Sequence, residues 1–384
     1  MNITNVKDIL NRKLSGANID DIQGISDYSL FKEAASNLLA QIDPAETVRR
    51  SPFNVFGTVY DYSPPSDFKE VMDIAKQAQR TEADNPTRRY REDFDQHKNE
   101  NDFTSEWIDG SRRLRYSKDV GNVISVHTLD SVTSNGTWDG TAANIVASTF
   151  NAYQGAASIQ ADFDTGEYIE NDDFTKVDLS DHENLSTLFF PFYCPDTTAA
   201  GVVTNIILRW GSSTSAYFSK TTSAPQFGLF RAGWNLVPFD WSAATETGTV
   251  DTDNIDYLRA TLTLSASDTG YKFDEIFSAL PEVTDLYYYS KYLFRSTAGT
   301  WLETPTADTD IICLDTNTEN LFVYECIRLA ALQIQGKTDV YNSYTTELYG
   351  NDRQVGLYGR YKFRNPDETI RPQQQYRRIQ WTKK

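Results

Sequence analysis

The sequence predicts an α+β multidomain chain in which both ends are mainly helical and form one body. An antiparallel β-sandwich of the jelly-roll kind is inserted between them. Three observations predict this. Apolar residues recur at helical spacing before residue 45 and again after residue 315. From about Val123 to Ile276 the texture changes to Thr, Ser, Asp, Gly and aromatic residues in short alternating runs: ASIQADF, LSTLFFPFYCP, VVTNIILRW and YLRATLTLS. Charge is also partitioned: of the net −18, Ser131 to Leu280 holds 19 acidic and 6 basic residues, net −13, leaving −5 for the other 234 residues.

The first element is a helix in which Val6, Ile9, Leu10 and Leu14 share a stripe behind a Thr4 cap, and SGANIDDIQG interrupts it. A second helix suits Leu30, Phe31, Ala34, Ala35, Leu38, Leu39 and Ile42, with Asp27 as cap and Pro44 beyond its end. After ETVRR at 46–50 the pattern is irregular, and the prolines of YSPPSD at 62–67 force an extended or turn-like path. FKEVMDIAKQAQR fits a helix or a strand equally. Residues 81–105 are dense in charge and poor in aliphatics, the composition of an exposed arm.

Helical character returns where Thr316 and Glu319 have capping-box spacing and LFVYECIRLAALQIQ runs to a stop at Gly336. This segment is apolar around much of its circumference and so needs neighbours on every side. Cys326 reads as a small buried hydrophobe there, and Glu325 as a cap or an arginine partner. A further helix spans Asp339 to Leu348, with Val340, Tyr341, Tyr344 and Leu348 on one face. From Gly359 the chain carries eight basic residues against Asp367 and Glu368, with Pro366 and Pro372 breaking any helix. It reads as an extended arm that orders on a partner through Arg371, Tyr376, Arg377, Arg378 and Trp381, aromatic anchors among arginines.

The acidic middle excludes a broad nucleic-acid or anionic-membrane surface there, since both need positive potential. Cys194, Cys313 and Cys326 are far apart without a CxxC pair, and His97, His127 and His182 show no ligand spacing, so no disulfide framework, zinc site or cofactor follows. No window approaches a membrane-spanning segment, and MNITNVKDILNRKL lacks a signal-peptide core. GxSxG, P-loop and GxGxxG motifs do not occur, and His182 between Asp181 and Glu183 reads as an exposed turn histidine, so no enzymatic activity is expected. In the middle, Trp138, Trp210, Trp234 and Trp241 accompany Tyr153, Tyr168, Tyr193 and Tyr217. Aromatic faces stack on sugar rings, which makes Trp138, Trp210 and Trp241 candidate glycan or partner contacts, although core packing is the commoner fate of such a residue. Asp178, Asp181 and Asp274 are the least arbitrary calcium ligands, but solvated acidic loops explain them better and no metal is assigned.

Six stretches of the middle, NGTWDG (135–140), VDLSDHENLSTLFFPFYCP (177–195), IILRWGSSTSAYFS (206–219), GWNLVPFDWSAATETG (233–248), DNIDYLRATLTLS (253–265) and YKFDEIF (271–277), resemble the jelly rolls of carbohydrate-binding modules and laminin-G-like domains. ETVRR, PPSDF (64–68), MDIAKQAQR (72–80), YYYSKYLF (287–294) and YECIRLAALQIQG (324–336) resemble tailed-bacteriophage head-to-tail adaptors of the tail tubular A type. Pro65 and Asp67 match a Leu-Pro-x-Asp-like turn with Pro64 in the leucine position, and Leu321–Gln335 matches a late helix of the ring body. That second resemblance implies a virion component of the neck or tail, made in the host cytoplasm, without a chemical step. It further implies a homo-oligomeric, dodecameric ring with portal and tail or nozzle proteins as partners, tail fibres as a further one, and DNA passing through the channel. On it the chain divides into an adaptor-like body (1–122, with the arm 81–105), the inserted jelly roll (123–280), the second part of the body (281–358) and a basic arm (359–384). Two other readings of the residues stay open: a carbohydrate-binding or fibre-attachment protein, and a polysaccharide-degrading enzyme.

Overall fold

The computed structural model describes residues 1–14, 22, 24–76, 103–108, 111–116 and 122–364. Helices near the two ends flank a central antiparallel sandwich, the expected fold class. The chain divides into two units. The first comprises Met1–Ser51, Pro65–Ile74 and Leu286–Lys384, and the second Pro52–Pro64 and Ala75–Asp285.

In the first unit, helix α1 (Ile3–Lys13) buries Ile3, Val6 and Leu10. Its cap is Asn2, whose side chain accepts from the Asn5 amide, in place of the expected Thr4. Helix α2 (Ser29–Gln41) buries the predicted stripe and ends before Pro44, while Asp27 accepts from the Ser29 amide. The segment after residue 47 is a regular strand, Val48–Phe56, and FKEVMDIAK is a strand as well, Phe68–Lys76; both run from the first unit into the second. The long apolar segment is a helix, Thr316–Gln333, capped by Asp315, which accepts from the Thr318 amide. The capping box centred on Thr316 is thus displaced by one residue, and Glu319 instead meets the N-terminal amine of Met1 at 2.5 Å. Helices α1, α2 and Thr338–Tyr349 surround it, which satisfies an apolar circumference from within the chain. Gly359 to Arg364 belong to a helix, Leu357–Arg364, so the tail begins as helix where an extended arm is expected. Of the charged arm 81–105, only Phe103 to Ser105 are described, and they lie in a strand, Phe103–Ile108. Arg371, Tyr376, Arg377, Arg378 and Trp381 lie outside the described residues.

The second unit holds a small sheet of Asp61–Tyr62, Ser111–Tyr116 and Phe103–Ile108 and, as its main body, a sandwich of two antiparallel sheets. One has the strand order Thr245–Thr247, Ala216–Thr222, Val203–Ser213, Tyr257–Leu264, Tyr168–Asn171 and Asp139–Gly140. The other is built on Thr187–Cys194, which pairs with Gly233–Asp240, Asp268–Phe273 and Ile276–Ala279. Strand parity makes the core: Ile206, Leu208 and Trp210 point in from one sheet, and Leu188, Phe190 and Phe192 from the other. In GWNLVPFD the same parity buries Asn235, Val237 and Phe239 and leaves Trp234, Leu236 and Pro238 half-buried.

Candidate functional site

The residues between the core positions of the six-stranded sheet define its outer face. On Val203–Ser213 these are Asn205, Ile207, Arg209 and Gly211, and on Tyr257–Leu264 they are Tyr257, Arg259, Thr261 and Thr263. Register aligns them in rows across the sheet. One row reads Glu170, Arg259, Arg209, Ser219, Thr245. The next reads Tyr257, Gly211, Tyr217, Thr247, and the row on the other side reads Tyr168, Thr261, Ile207, Thr221. Charged, aromatic and hydroxyl side chains thus occupy the whole of one strand face, with Ile207 the single aliphatic among these three rows.

Stacking holds the rows together. The Arg259 guanidinium lies 3.3 Å from the Tyr168 ring centroid, and that of Arg209 lies 4.7 Å from Tyr217. Tyr217 and Tyr257 meet over Gly211 with ring centroids 6.0 Å apart. The Tyr257 hydroxyl donates to Glu170 at 3.4 Å, and burial first, then the Glu170 charge, pushes its pKa above the usual phenol value. Glu170 is 3.8 Å from Arg259, too far for a charge-assisted hydrogen bond. Asn205 Oδ1, Arg209 Nε and Arg259 Nε are enclosed without a hydrogen-bond partner among the described residues. Beside Tyr217 the face opens into a depression of about 440 Å³ lined by Arg209, Ser219, Lys220, Thr245 and Thr247. Such a surface offers ring faces and fixed donors to a flat, hydroxyl-rich ligand. Among the described residues no group of His, Cys, Asp and Glu could hold a metal ion.

The tryptophans singled out from sequence lie elsewhere. Trp138 (2% exposed), Trp210 (0%) and Trp241 (0%) are core residues with no ring face open to a ligand. Trp138 packs edge-on against His127, and Trp210 against Trp241 at 5.5 Å. Trp234 and Tyr193 belong to the opposite sheet, where Trp234 touches Tyr153 at 5.6 Å and Tyr193 at 5.3 Å. Tyr168 and Tyr217, named among the aromatics, do reach the face. Asp178, Asp181 and Asp274 do not converge on a metal site. Asp274 is buried and accepts from the Tyr153 and Gln154 amides at 2.6 and 3.1 Å, while Asp178 accepts from the Ser180 amide. His182 is fully buried rather than exposed: its Nδ1 meets Ser278 Oγ at 2.9 Å, and Ser278 donates on to Ser186.

Arg209, Arg259, Glu170 and Tyr257 belong to no motif of the sequence. A signal for the arginines exists: in NIILRWG and DYLRATL one arginine lies in the phase opposite three core residues, Ile206, Leu208 and Trp210 in the first and Leu258, Ala260 and Leu262 in the second.

No protein-family model matches the sequence, and no curated protein does. Solved structures similar to part of the chain include a family 30 carbohydrate-binding module of a cellulosomal cellulase of Clostridium thermocellum. It has 11% identity and a TM-score of 0.30, with 41% of this chain and 96% of that one covered. Another is a family 11 carbohydrate-binding module from the same organism in complex with a β-1,3-1,4-mixed-linked tetrasaccharide, at 12% identity and TM-score 0.30, covering 42% and 96%. A third is a family 22 carbohydrate-binding module of a Clostridium thermocellum protein, at 15% and 0.25, covering 41% and 94%. No helix of the described residues is long and apolar enough to cross a membrane.

Proposed function

We propose that the outer face of the six-stranded sheet binds carbohydrate and that the chain is a binding protein without a chemical step. One observation carries this reading: Tyr168 and Tyr217 are held by arginine stacking within continuous cross-strand rows of hydrogen-bonding side chains. Sugar rings present apolar C–H faces and equatorial hydroxyls, which match tyrosine faces and guanidinium, amide and hydroxyl partners respectively. A glycan array probed with the full chain tests it. Selective binding that drops at least tenfold in Tyr217→Ala or Tyr168→Ala is expected; a silent array, or binding indifferent to both changes, overturns it.

A second reading is assembly into a phage virion as a homo-oligomeric head-to-tail ring, which rests on the resemblance of the flanks. Exposed apolar side chains of the helical unit, Leu332, Val355 and Phe363, favour some subunit contact there. Electron microscopy of the purified protein would show a ring, twelvefold if it adjoins a portal; a monomer at micromolar concentration would end this reading.

A further inference from the structure

We infer that the glycan bound on this face is acidic, carrying carboxylates of the uronate class, and that Arg209 and Arg259 are its specificity-determining residues. The inference rests on the glycan-binding reading of the same face.

Charge is distributed against expectation. The segment Ser131 to Leu280 has only 6 basic residues among 19 acidic ones, yet Arg209 and Arg259 are direct cross-strand partners and Lys220 lines the adjoining depression. Like charges placed opposite one another on a sheet destabilise it. Relief from within the chain is slight. Glu170 lies 3.8 Å from Arg259 while also accepting from the Tyr257 hydroxyl, and Arg209 makes no ion pair among the described residues. Two of the six basic residues of an acidic module are therefore direct cross-strand neighbours, with Glu170 the one carboxylate in their row. A carboxylate arriving from solvent at either guanidinium would offset its charge, and it matches the planar fork that lets arginine bind carboxylates bidentately. The tyrosines supply the ring contact that makes the ligand a sugar acid rather than a simple anion: Tyr168 lies under Arg259 and Tyr217 under Arg209, so stacking and charge recognition sit within one sugar width of each other.

The test titrates the full chain with three uronate polymers, polygalacturonate, alginate and hyaluronan. The methyl ester of each, the neutral mixed-linkage β-glucan and polyglutamate serve as comparisons. The expected result is that at least one uronate polymer binds at least tenfold tighter than its methyl ester and weakens as salt rises. Arg209→Gln and Arg259→Gln should each remove tenfold or more of that affinity, with circular dichroism unchanged. Arg209→Lys keeps the charge without the fork and should retain the salt dependence at reduced affinity. If the methyl ester or the neutral glucan binds as tightly as any uronate and still depends on Tyr217, the acidic-ligand inference falls and the glycan-binding reading stands. If only polyglutamate competes with the uronates on equal terms, the face is a general anion site and both fall. If neither uronates nor neutral glycans bind, both fall as well.

Discussion

Gly211 and Tyr217 are cross-strand partners, and a Cβ on Gly211 would lie 2.5 Å from the Tyr217 Cα and 2.2 Å from the Ala216 carbonyl oxygen. The obstruction is backbone, which cannot step aside as a flexible side-chain end could. Close approach here brings Tyr217 over the sheet toward Tyr257, at a position where the strand register shifts. Gly211→Ala should therefore cost about 1–3 kcal/mol of stability, the usual range for an overpacked site, and weaken glycan binding with it. Urea unfolding and a glycan titration of the same variant check both. Wild-type stability would show that the strand pair is not packed as tightly as this.

Trp210 separates folding from binding. Its ring is fully buried against Trp241 and Phe218, so Trp210→Ala removes core rather than a ligand contact. A loss of about 3–5 kcal/mol is expected for such a truncation. Tyr217→Ala on the other side of the same sheet should cost much less stability and most of the binding. Chemical denaturation of the two variants side by side reads the contrast.

Much of the fold could be read from the chain because strand parity and helical spacing are local. Ile206, Leu208 and Trp210 alternate with Ile207, Arg209 and Gly211, and that alternation alone assigns the strand. Which phase faces the core needed one more step: Trp210 shares its phase with two aliphatics, so parity places it inside and Arg209 outside. The largest aromatics mark the core, whereas the site is made by residues of the opposite phase. Pairing is what sequence does not carry. Arg209 and Arg259 are 50 positions apart, and only the register puts them opposite each other. His182 looked exposed for the same reason, since its cover includes Ser278, 96 residues away. Helix caps shifted by one or two residues, Asn2 for Thr4 and Asp315 for Thr316, because neighbouring Asn, Asp and Thr side chains all suit an N-cap.

Acid should weaken the sandwich through its buried histidines. His127 Nδ1 accepts the Leu129 amide at 2.9 Å, so the ring proton is on Nε2, which donates to the Asn135 carbonyl at 2.9 Å. Trp138 and Phe174 approach the ring edge-on at 5.2 and 5.3 Å. Burial holds the pKa of His127 below the ordinary imidazole value, and does the same for His182. The unfolded chain therefore takes up protons near pH 6.5 that the folded one refuses. Stability is complete above that pH and falls as pH drops through it toward the lowered folded values, by at most about 1.4 kcal/mol per pH unit for each histidine. Denaturation midpoints between pH 7.5 and 5.5 check the slope, which should flatten in a His127→Gln, His182→Gln double variant even if that variant is less stable throughout. A nitrogen NMR spectrum with the proton on Nδ1 of His127 would contradict the assignment.

The helical unit has its own buried polar centre in Glu325, whose side chain is 0% exposed. One carboxylate oxygen accepts from Arg328 Nε at 2.9 Å, and the other accepts from the Tyr349 and Tyr358 hydroxyls at 2.5 and 3.0 Å. The two tyrosines belong to the next two helices, so this carboxylate ties Thr316–Gln333 to both of its successors. Glu325→Ala leaves the Arg328 charge largely enclosed without its partner, a loss of about 3–5 kcal/mol. Tyr358→Phe removes a single hydrogen bond to a charged group and should cost about 1.5–3 kcal/mol. In a double-mutant cycle of Glu325→Gln with Tyr358→Phe, the effects should be less than additive, because both changes break the same contact. Burial, reinforced by Glu325, holds both tyrosines protonated well beyond the usual phenol range. Unfolding releases them to ionise, so stability should be intact below pH 10 and decline as pH rises above it. Tyr358→Phe should shorten that alkaline decline, and an unchanged pH profile in the variant would mean that Tyr358 is not held at Glu325 in solution.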